Sequence, residues 1–510
     1  MSNHNATNDT GSTAAAVAAK VGNYRWMICA LLFFCTTINY VDRNSLSVLK
    51  TTLQGALGWE DVDYGTITTA FTFAYAMFPS VIGIIIDKIG VKKALAWALI
   101  VWSLAAAAHG LVATVLGFVI VRFILGFAEA ANFPASIKAV GMWFPQKERA
   151  LATGIFNSGT SIGVIVSGVI VWIALHLGWQ MSFVAIGAVG LLWLYFWQRF
   201  FTDPEHQPRL GASELAYIRS DQPQAQQALK LSWTTLMRYR EIWPFLIGKL
   251  ITDPVWWFYL FWLPSYLDRE RGQNPLNAGI WVAVIYTGSS VGSILGGWIS
   301  SALMKRGWPV GKARMTAMGL AAIFMPGSIL AYYTESFAVC VAFITLATAC
   351  HQAWSANLFT NATDLFPQKV SGSVVGLGAT AGGIGGMFMT LLAGLAVQWT
   401  GNQQIVFVWA GTMHILALAL FWIWFKGRFV QIDVDTPLDV SRTHGGLAVS
   451  GVIVAAVGAA LAALVTANWG YLVDAVKITG AVQSIVVAAA VFLIGVALFY
   501  ASRPQKTVAR

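Results

Sequence analysis

Six ionisable residues lie inside apolar segments of helix length in this chain: Asp42 and Arg43, Arg122 and Glu129, Lys249 and Asp253. A charge at bilayer depth costs roughly 2.5–3.5 kcal/mol on insertion scales. Six such groups persist only if they pair, face water or bind something charged. The chemistry open to them is electrostatic. Cations can hold an anion, and carboxylates can load and release protons where burial disfavours their charged form. Arg122 and Glu129 are seven residues apart, two helical turns, and so share one helix face. Asp42 and Arg43 are neighbours and project about 100° apart. Lys249 and Asp253 stand at i and i+4, within pairing distance. Each couple is open to two readings, a structural ion pair or a working set.

Neutral polar groups accompany them. Tyr40, Tyr75, Asn157, His351, Gln352 and Asn357 all fall within apolar stretches. An unpaired amide at that depth is expensive, so Asn and Gln are candidate binding groups. His351 reads as a proton group, a satisfied core histidine or a hydrogen-bonding contact, the last being favoured. Trp256, Trp257 and Trp354 can stack on a ligand ring or simply pack.

These groups need elements to position them, and the composition says which. Of 510 residues, 57% are hydrophobic and 11% charged, against about 25% charged in soluble domains. The deficit runs the whole length, which indicates a polytopic membrane protein. Apolar stretches of about 20 residues mark spanning helices. They fall near 26–48, 64–86, 94–113, 116–139, 150–174 and 180–200, then near 242–267, 278–302, 313–333, 337–360, 372–397 and 405–425. The expected architecture is all-α. A tail, 1–22, is followed by a six-helix half, 23–201, a central loop, 202–241, and a second six-helix half, 242–428. A linker, 429–446, leads to an extra hairpin, 447–502, and a tail, 503–510. Residues 1–20 lack the basic start, short apolar run and cleavage site of a signal peptide.

Lys and Arg collect on one side of this topology. Lys88, Lys92, Lys93, Lys147, Arg149, Arg219, Lys305, Arg306, Lys312 and Arg314 fall in loops of the same side as the amino terminus. The opposite side receives Lys50, Arg269, Arg271 and Lys477. Positively charged loops face the cytoplasm, so both termini are expected inside. The asymmetry also accounts for the net charge of +10 without nucleic acid. Cys29, Cys35, Cys340 and Cys350 lie in apolar segments without disulfide or metal-like spacing and read as inert buried thiols. Glycines recur four apart at Gly159 and Gly163, Gly292 and Gly296, and Gly378, Gly382 and Gly386. That spacing lets helices approach closely in lipid.

The loop after the second span reads Gly83-Ile-Ile-Ile-Asp87-Lys88-Ile-Gly90-Val-Lys92-Lys93. It resembles the signature loop of the major facilitator superfamily. Asp87 there is expected to cap or pair across the cytoplasmic face, with Lys88, Lys92 and Lys93 holding neighbouring helix ends. A weaker counterpart, Gly296-Gly297 followed by Lys305-Arg306-Gly307, follows the eighth span. Related loops in two halves match transporters whose substrate site lies between the halves. Further motifs sharpen the likeness: Asn39-Tyr40-Val41-Asp42-Arg43, Arg122 to Glu129 with Asn132-Phe133-Pro134, Gly154-Ile-Phe156-Asn157-Ser158-Gly159, His351-Gln352-Ala-Trp354-Ser355-Ala-Asn357, and Lys249 to Trp257. Together they resemble the anion:cation symporter family, and within it the hexuronate transporters, over residues 22–428. The last two apolar segments fall outside this resemblance.

The resemblance implies a major facilitator fold with pseudo-two-fold symmetry in a bacterial-type inner membrane. It implies proton-coupled import of a hexuronate such as glucuronate or galacturonate, with the proton gradient as energy source and no cofactor. The partners implied are a small organic anion, protons and lipid, and the chain is expected to be a monomer. Asp42 and Glu129 match the proton-carrying positions. Arg43 matches the substrate carboxylate site, with Arg122 or Lys249 completing the field. Tyr75 matches a substrate-contacting tyrosine, and Tyr40, Asn157, His351, Gln352, Asn357 and Trp354 are the remaining candidate contacts. Thr160 stands where relatives selective for galactonate carry glutamine. Of the six charges, those in spans one and four are expected to work, and Lys249–Asp253 to be an ion pair with Lys249 at the edge of the site. Symport of another organic anion (aldonate, glucarate, tartrate or an aromatic carboxylate) remains open. A phosphate-ester antiporter fits less well, since it has no need of two proton-carrying carboxylates. An enzyme would need a nucleophile–base pair or a metal cluster, and the histidines are scattered.

Overall fold

A computed structural model describes residues 21–221, 233–237, 239, 241–273, 275–400 and 403–425. Among these residues the structure is helical and forms twelve long helical segments. They are α1 (Tyr24–Val48), α2 (Asp61–Met77 continued by Pro79–Ile89), α3 (Val91–Ala108), α4 (Val115–Glu129 continued by Asn132–Trp143), α5 (Gln146–Val166 continued by Gly168–Leu177), α6 (Trp179–Phe200), α7 (Ile242–Arg269), α8 (Pro275–Lys305), α9 (Val310–Phe324 continued by Gly327–Tyr333), α10 (Phe337–Leu365), α11 (Gln368–Thr400) and α12 (Gln404–Phe425). Each coincides with a span read from hydropathy to within a few residues. The expected hairpin 447–502, the linker 429–446, the tail 503–510 and residues 1–20 lie outside the described residues.

Packing follows the same plan twice. In the first half α1 packs on α5, α2 on α4 and α3 on α6. In the second, α7 packs on α11, α8 on α10 and α9 on α12. Between halves, α2 meets α11 and α5 meets α8, a pairing that a two-fold exchange of the halves maps onto itself. Large apolar side chains point outward from the peripheral helices, among them Trp97 on α3, Leu192 on α6, Ile323 on α9 and Ile423 on α12. Exposed apolar girdles of this kind suit a lipid surround. All four cysteines are buried and free.

The glycine spacings are explained by close helix crossings. Gly292 and Gly296 on α8 lie against the backbone of Ala349 and Ala353 on α10, where a methyl group would collide. Breaks set the inner geometry. α2 bends by 48° at Phe78, just before Pro79. α4 breaks at Ala130–Ala131, immediately after Glu129. Proline at a first helical position and local breaks re-aim the chain without stranding backbone groups in lipid.

One end of the bundle is locked between halves. Asp87 on α2 accepts hydrogen bonds from the Gly372 and Ser373 backbone N–H at 3.0 and 2.7 Å, from Ser373 Oγ at 2.5 Å, and pairs with Lys138 Nζ at 2.5 Å. Beside it, Asp364 on α10 is held by Arg149 (3.2 Å) from the first half and Arg314 (3.0 Å) from the second. Arg314 also donates to the Gln146 carbonyl at 3.0 Å. Asp87 thus pairs with Lys138, which the loop motif does not contain. Within the motif, Lys88 and Lys93 are exposed, Lys92 reaches Thr202 Oγ1 at 3.3 Å, and Gly90 turns the chain at φ 83°. At the same end a loop helix, Ala212–Arg219, docks through Glu214 on Arg25 (3.0 Å) and through Tyr217, whose hydroxyl donates to Glu148 at 2.9 Å. Burial and that hydrogen bond to Glu148 raise the Tyr217 phenol above its ordinary pKa.

Candidate functional site: a charged cavity between the halves

Between the halves lies a cavity with about 610 Å³ of empty space, its open mouth included. Both halves line it: Tyr40 and Arg43 from α1, Tyr75 from α2, Phe133 from α4, Asn157 and Thr160 from α5, Lys249, Asp253, Trp256 and Trp257 from α7, His351, Gln352 and Ser355 from α10, and Gly383 from α11.

The first-half wall is organised around Arg43. Its guanidinium lies over the rings of Tyr75 (3.9 Å) and Tyr40 (4.4 Å). Behind the wall it donates to Asn39 Oδ1 at 3.2 Å and to Glu129 Oε2 at 3.4 Å. Glu129 is wholly buried, and its other oxygen has no partner among the described residues. Placing this acid on the last turn before the α4 break aims it at α1. Arg122, one face with Glu129, donates instead to the Arg43 carbonyl and to Ser45 Oγ, each at 3.3 Å. Asp42 is not among the cavity-lining residues; it is buried, with Oδ1 unpartnered among the described residues. Asp42, Glu129 and Arg122 therefore form a layer behind Arg43.

The second-half wall carries Lys249 and Asp253, paired at 2.5 Å. Lys249 Nζ also sits over the Phe359 ring at 3.8 Å. His351 stacks on Trp256 at 5.8 Å and 10°, and its Nδ1 shares a hydrogen bond of 3.1 Å with His414 Nε2 on α12. A polar bridge joins the halves: Asn157 donates to Gln352 Oε1 at 2.7 Å and to Ser293 Oγ at 3.2 Å, and Gln352 donates to Thr160 Oγ1 at 3.2 Å. The cavity can thus offer a guanidinium, an ammonium, a carboxylate, amides, hydroxyls and an imidazole, flanked by indole rings.

The family follows from the sequence match over this same region. Residues 32–390 match the model of the Major Facilitator Superfamily. The chain belongs to the major facilitator superfamily. The D-galactonate transporter of Escherichia coli O6:H1 is 28% identical over 395 residues, covering 75% of this chain and 92% of that protein. The hexuronate transporter of Escherichia coli K12 is 27% identical over 435 residues, covering 83% of this chain and 100% of that one. Among solved structures, the E. coli fucose:proton symporter FucP superposes with a TM-score of 0.59 at 19% identity, covering 79% of this chain and 98% of that one. These relatives are transporters, and this protein is a multi-pass membrane transporter of the superfamily rather than an enzyme.

In this facilitator chain, seven of the residues read from sequence as substrate contacts meet at the cavity: Tyr40, Arg43, Tyr75, Asn157, Lys249, His351 and Gln352. Three do not reach it. Arg122 lies behind Arg43. Trp354 turns toward α12, edge-on to His414 and Phe421. Asn357 donates to the Gly296 and Ala353 carbonyls at the α8–α10 crossing, 2.9 and 3.0 Å away. Trp354 and Asn357 follow the His351-Gln352 pair on the same helix, but a turn of α10 rotates them onto neighbouring helices. Lys249, expected at the edge of the site, stands on the wall, and Asp253 stands beside it. Phe133, Ser355 and Phe359 also line the cavity without having been singled out. Phe133 belongs to the Asn132-Phe133-Pro134 motif and Ser355 to the His351–Asn357 stretch, whereas no sequence signal distinguishes Phe359 from a packing ring.

Proposed function

We propose that this protein is a proton-coupled symporter that imports a sugar acid, foremost a hexuronate such as glucuronate or galacturonate. The observation that carries this reading is the arrangement of Arg43: its face is on the cavity and its carboxylate partner, Glu129, is hidden behind it. A sugar acid has one group that wants a planar, bidentate cation, and Arg supplies it. Its hydroxyls want neutral donors and acceptors, and Asn157, Gln352, Thr160, His351 and Ser355 stand on the same walls. Tyr40, Tyr75, Trp256 and Trp257 give apolar faces for the sugar carbons.

The coupling step is a competition for Arg43. While Glu129 is ionised, it engages the guanidinium. A proton on Glu129 releases Arg43 to the substrate carboxylate, and Asp42, in the same buried layer, is the second proton site. Arg122 holds the α1 backbone at Arg43 in register with Ser45. Loaded with proton and anion, the layer is neutral enough for the halves to rock about the cavity. The Asp87 and Asp364 locks then open at the basic end, which this reading places in the cytoplasm of a bacterial-type inner membrane. The protein works as a monomer.

Uptake of labelled glucuronate into proteoliposomes, with and without an imposed proton gradient, tests the reading. Gradient-driven accumulation supports it. Accumulation indifferent to the gradient, or no uptake of any uronate alongside uptake of another organic anion, contradicts it. The relatives named for galactonate and hexuronate favour the sugar-acid class over tartrate, aromatic carboxylates or phosphate esters.

A further inference from the structure

The two cavity walls treat their charges differently. On the first-half wall the cation is presented and its acid is concealed: Arg43 lines the cavity, and Glu129 does not. On the second-half wall cation and acid are presented together. Lys249 and Asp253 both line the cavity, 2.5 Å apart, and the Asp253 side chain is the more exposed of the two, 17% against 3%. The Asp253 carboxylate also packs on Gly382 of α11, where an added methyl group would collide with it. Its carboxylate is therefore part of the surface a ligand meets.

A second carboxylate brought to that wall would meet Asp253 as well as Lys249. Like charges juxtaposed at a buried site are strongly unfavourable and serve to reject partners. Hydroxyl groups meet no such conflict, because they can donate to Asp253 while accepting from Lys249. The neighbouring Ser355, Gln352 and His351 extend the same neutral, two-way hydrogen bonding.

We propose that the cavity is polarised for an acid with one carboxylate, held at Arg43, and a hydroxyl-bearing opposite end, held at Lys249 and Asp253, and that Asp253 excludes acids with a carboxylate at both ends. This inference rests on the sugar-acid reading above and deepens it: it selects uronates and aldonates over aldarates of the same carbon count.

Equilibrium competition against labelled glucuronate on the purified full-length protein tests it, with unlabelled glucuronate and galactarate as competitors. In the unaltered protein galactarate competes more weakly by about tenfold or more, the factor given by 1.4 kcal/mol. Asp253→Asn removes the negative charge and narrows that ratio by weakening glucuronate and admitting galactarate. Asp253→Glu keeps the charge and keeps the exclusion. Equal competition by the two acids in the unaltered protein overturns the inference, and that result needs no variant to fold. An unchanged ratio in Asp253→Asn overturns the role of Asp253. If neither acid binds the unaltered protein, the hexuronate reading falls, and this inference with it.

Discussion

Arg43 and Glu129 meet across α1 and α4 at 3.4 Å, yet only Arg43 touches the cavity. The acid can therefore report its protonation state to the site through the guanidinium alone. A long contact with one carboxylate oxygen, the other left unpartnered, is a bond that a better-placed ligand carboxylate can replace. This relationship ties proton and anion to one side chain.

Arg43→Lys keeps the positive charge and loses the planar fork. Hydrogen bonds to charged groups contribute about 1.5–3 kcal/mol, so affinity for labelled glucuronate is expected to fall by one to two orders of magnitude. The Lys variant should still be extracted and folded, as judged by monodisperse elution. Unchanged affinity would place the carboxylate elsewhere.

Asp87→Asn removes the ion pair with Lys138 and keeps only one of the two oxygens that accept from the Gly372 and Ser373 N–H groups. The locked end is expected to open more often. A single cysteine introduced near that end should react faster with a membrane-impermeant maleimide in the variant than in the parent. Equal labelling rates would show that Asp87 does not hold the halves together.

Asp364→Asn leaves Arg149 and Arg314 buried without their shared acid. Breaking a buried pair by removing one partner costs about 3–5 kcal/mol. A marked drop in thermal unfolding temperature is expected, larger than that for Asp87→Asn, because Asp364 neutralises two arginines and Asp87 a single lysine. A shift no larger than that of Asp87→Asn would argue that the arginine pair is satisfied by its remaining acceptors, the Phe144, Gly141, Thr363 and Gln146 carbonyls and Ser300 Oγ.

Most of the framework was legible in the sequence because lipid imposes it. Apolar stretches located all twelve described helical segments, of which ten, or eleven with the bent α2, are long and apolar enough to cross a membrane, and the breaks within α4 and α5 did not disturb that reading. The six charges also stood out, since nothing else explains them at that depth. What hydropathy and spacing do not carry is rotation about the helix axis. Arg122 and Glu129 do share a face, but α4 breaks right after Glu129, so one reaches the Arg43 side chain and the other its carbonyl. Trp354 and Asn357 are as polar-tipped and as close to Gln352 as any contact residue, yet α12 and α8 claim them. Asp253 was visible as a partner of Lys249, whereas its place on the cavity wall appears only once α7 packs against α11. Lys138 carried no signal, because its role exists only when α4 and α2 are side by side.

The coupling claim is tested most directly by comparing net uptake and exchange in Glu129→Gln. Proteoliposomes holding the variant are assayed for proton-gradient-driven accumulation of labelled glucuronate and, separately, for counterflow against internal unlabelled glucuronate. With Arg43 permanently released, binding and counterflow should persist while gradient-driven accumulation is lost. Accumulation that still follows the proton gradient in Glu129→Gln would contradict the competition between Glu129 and substrate for Arg43.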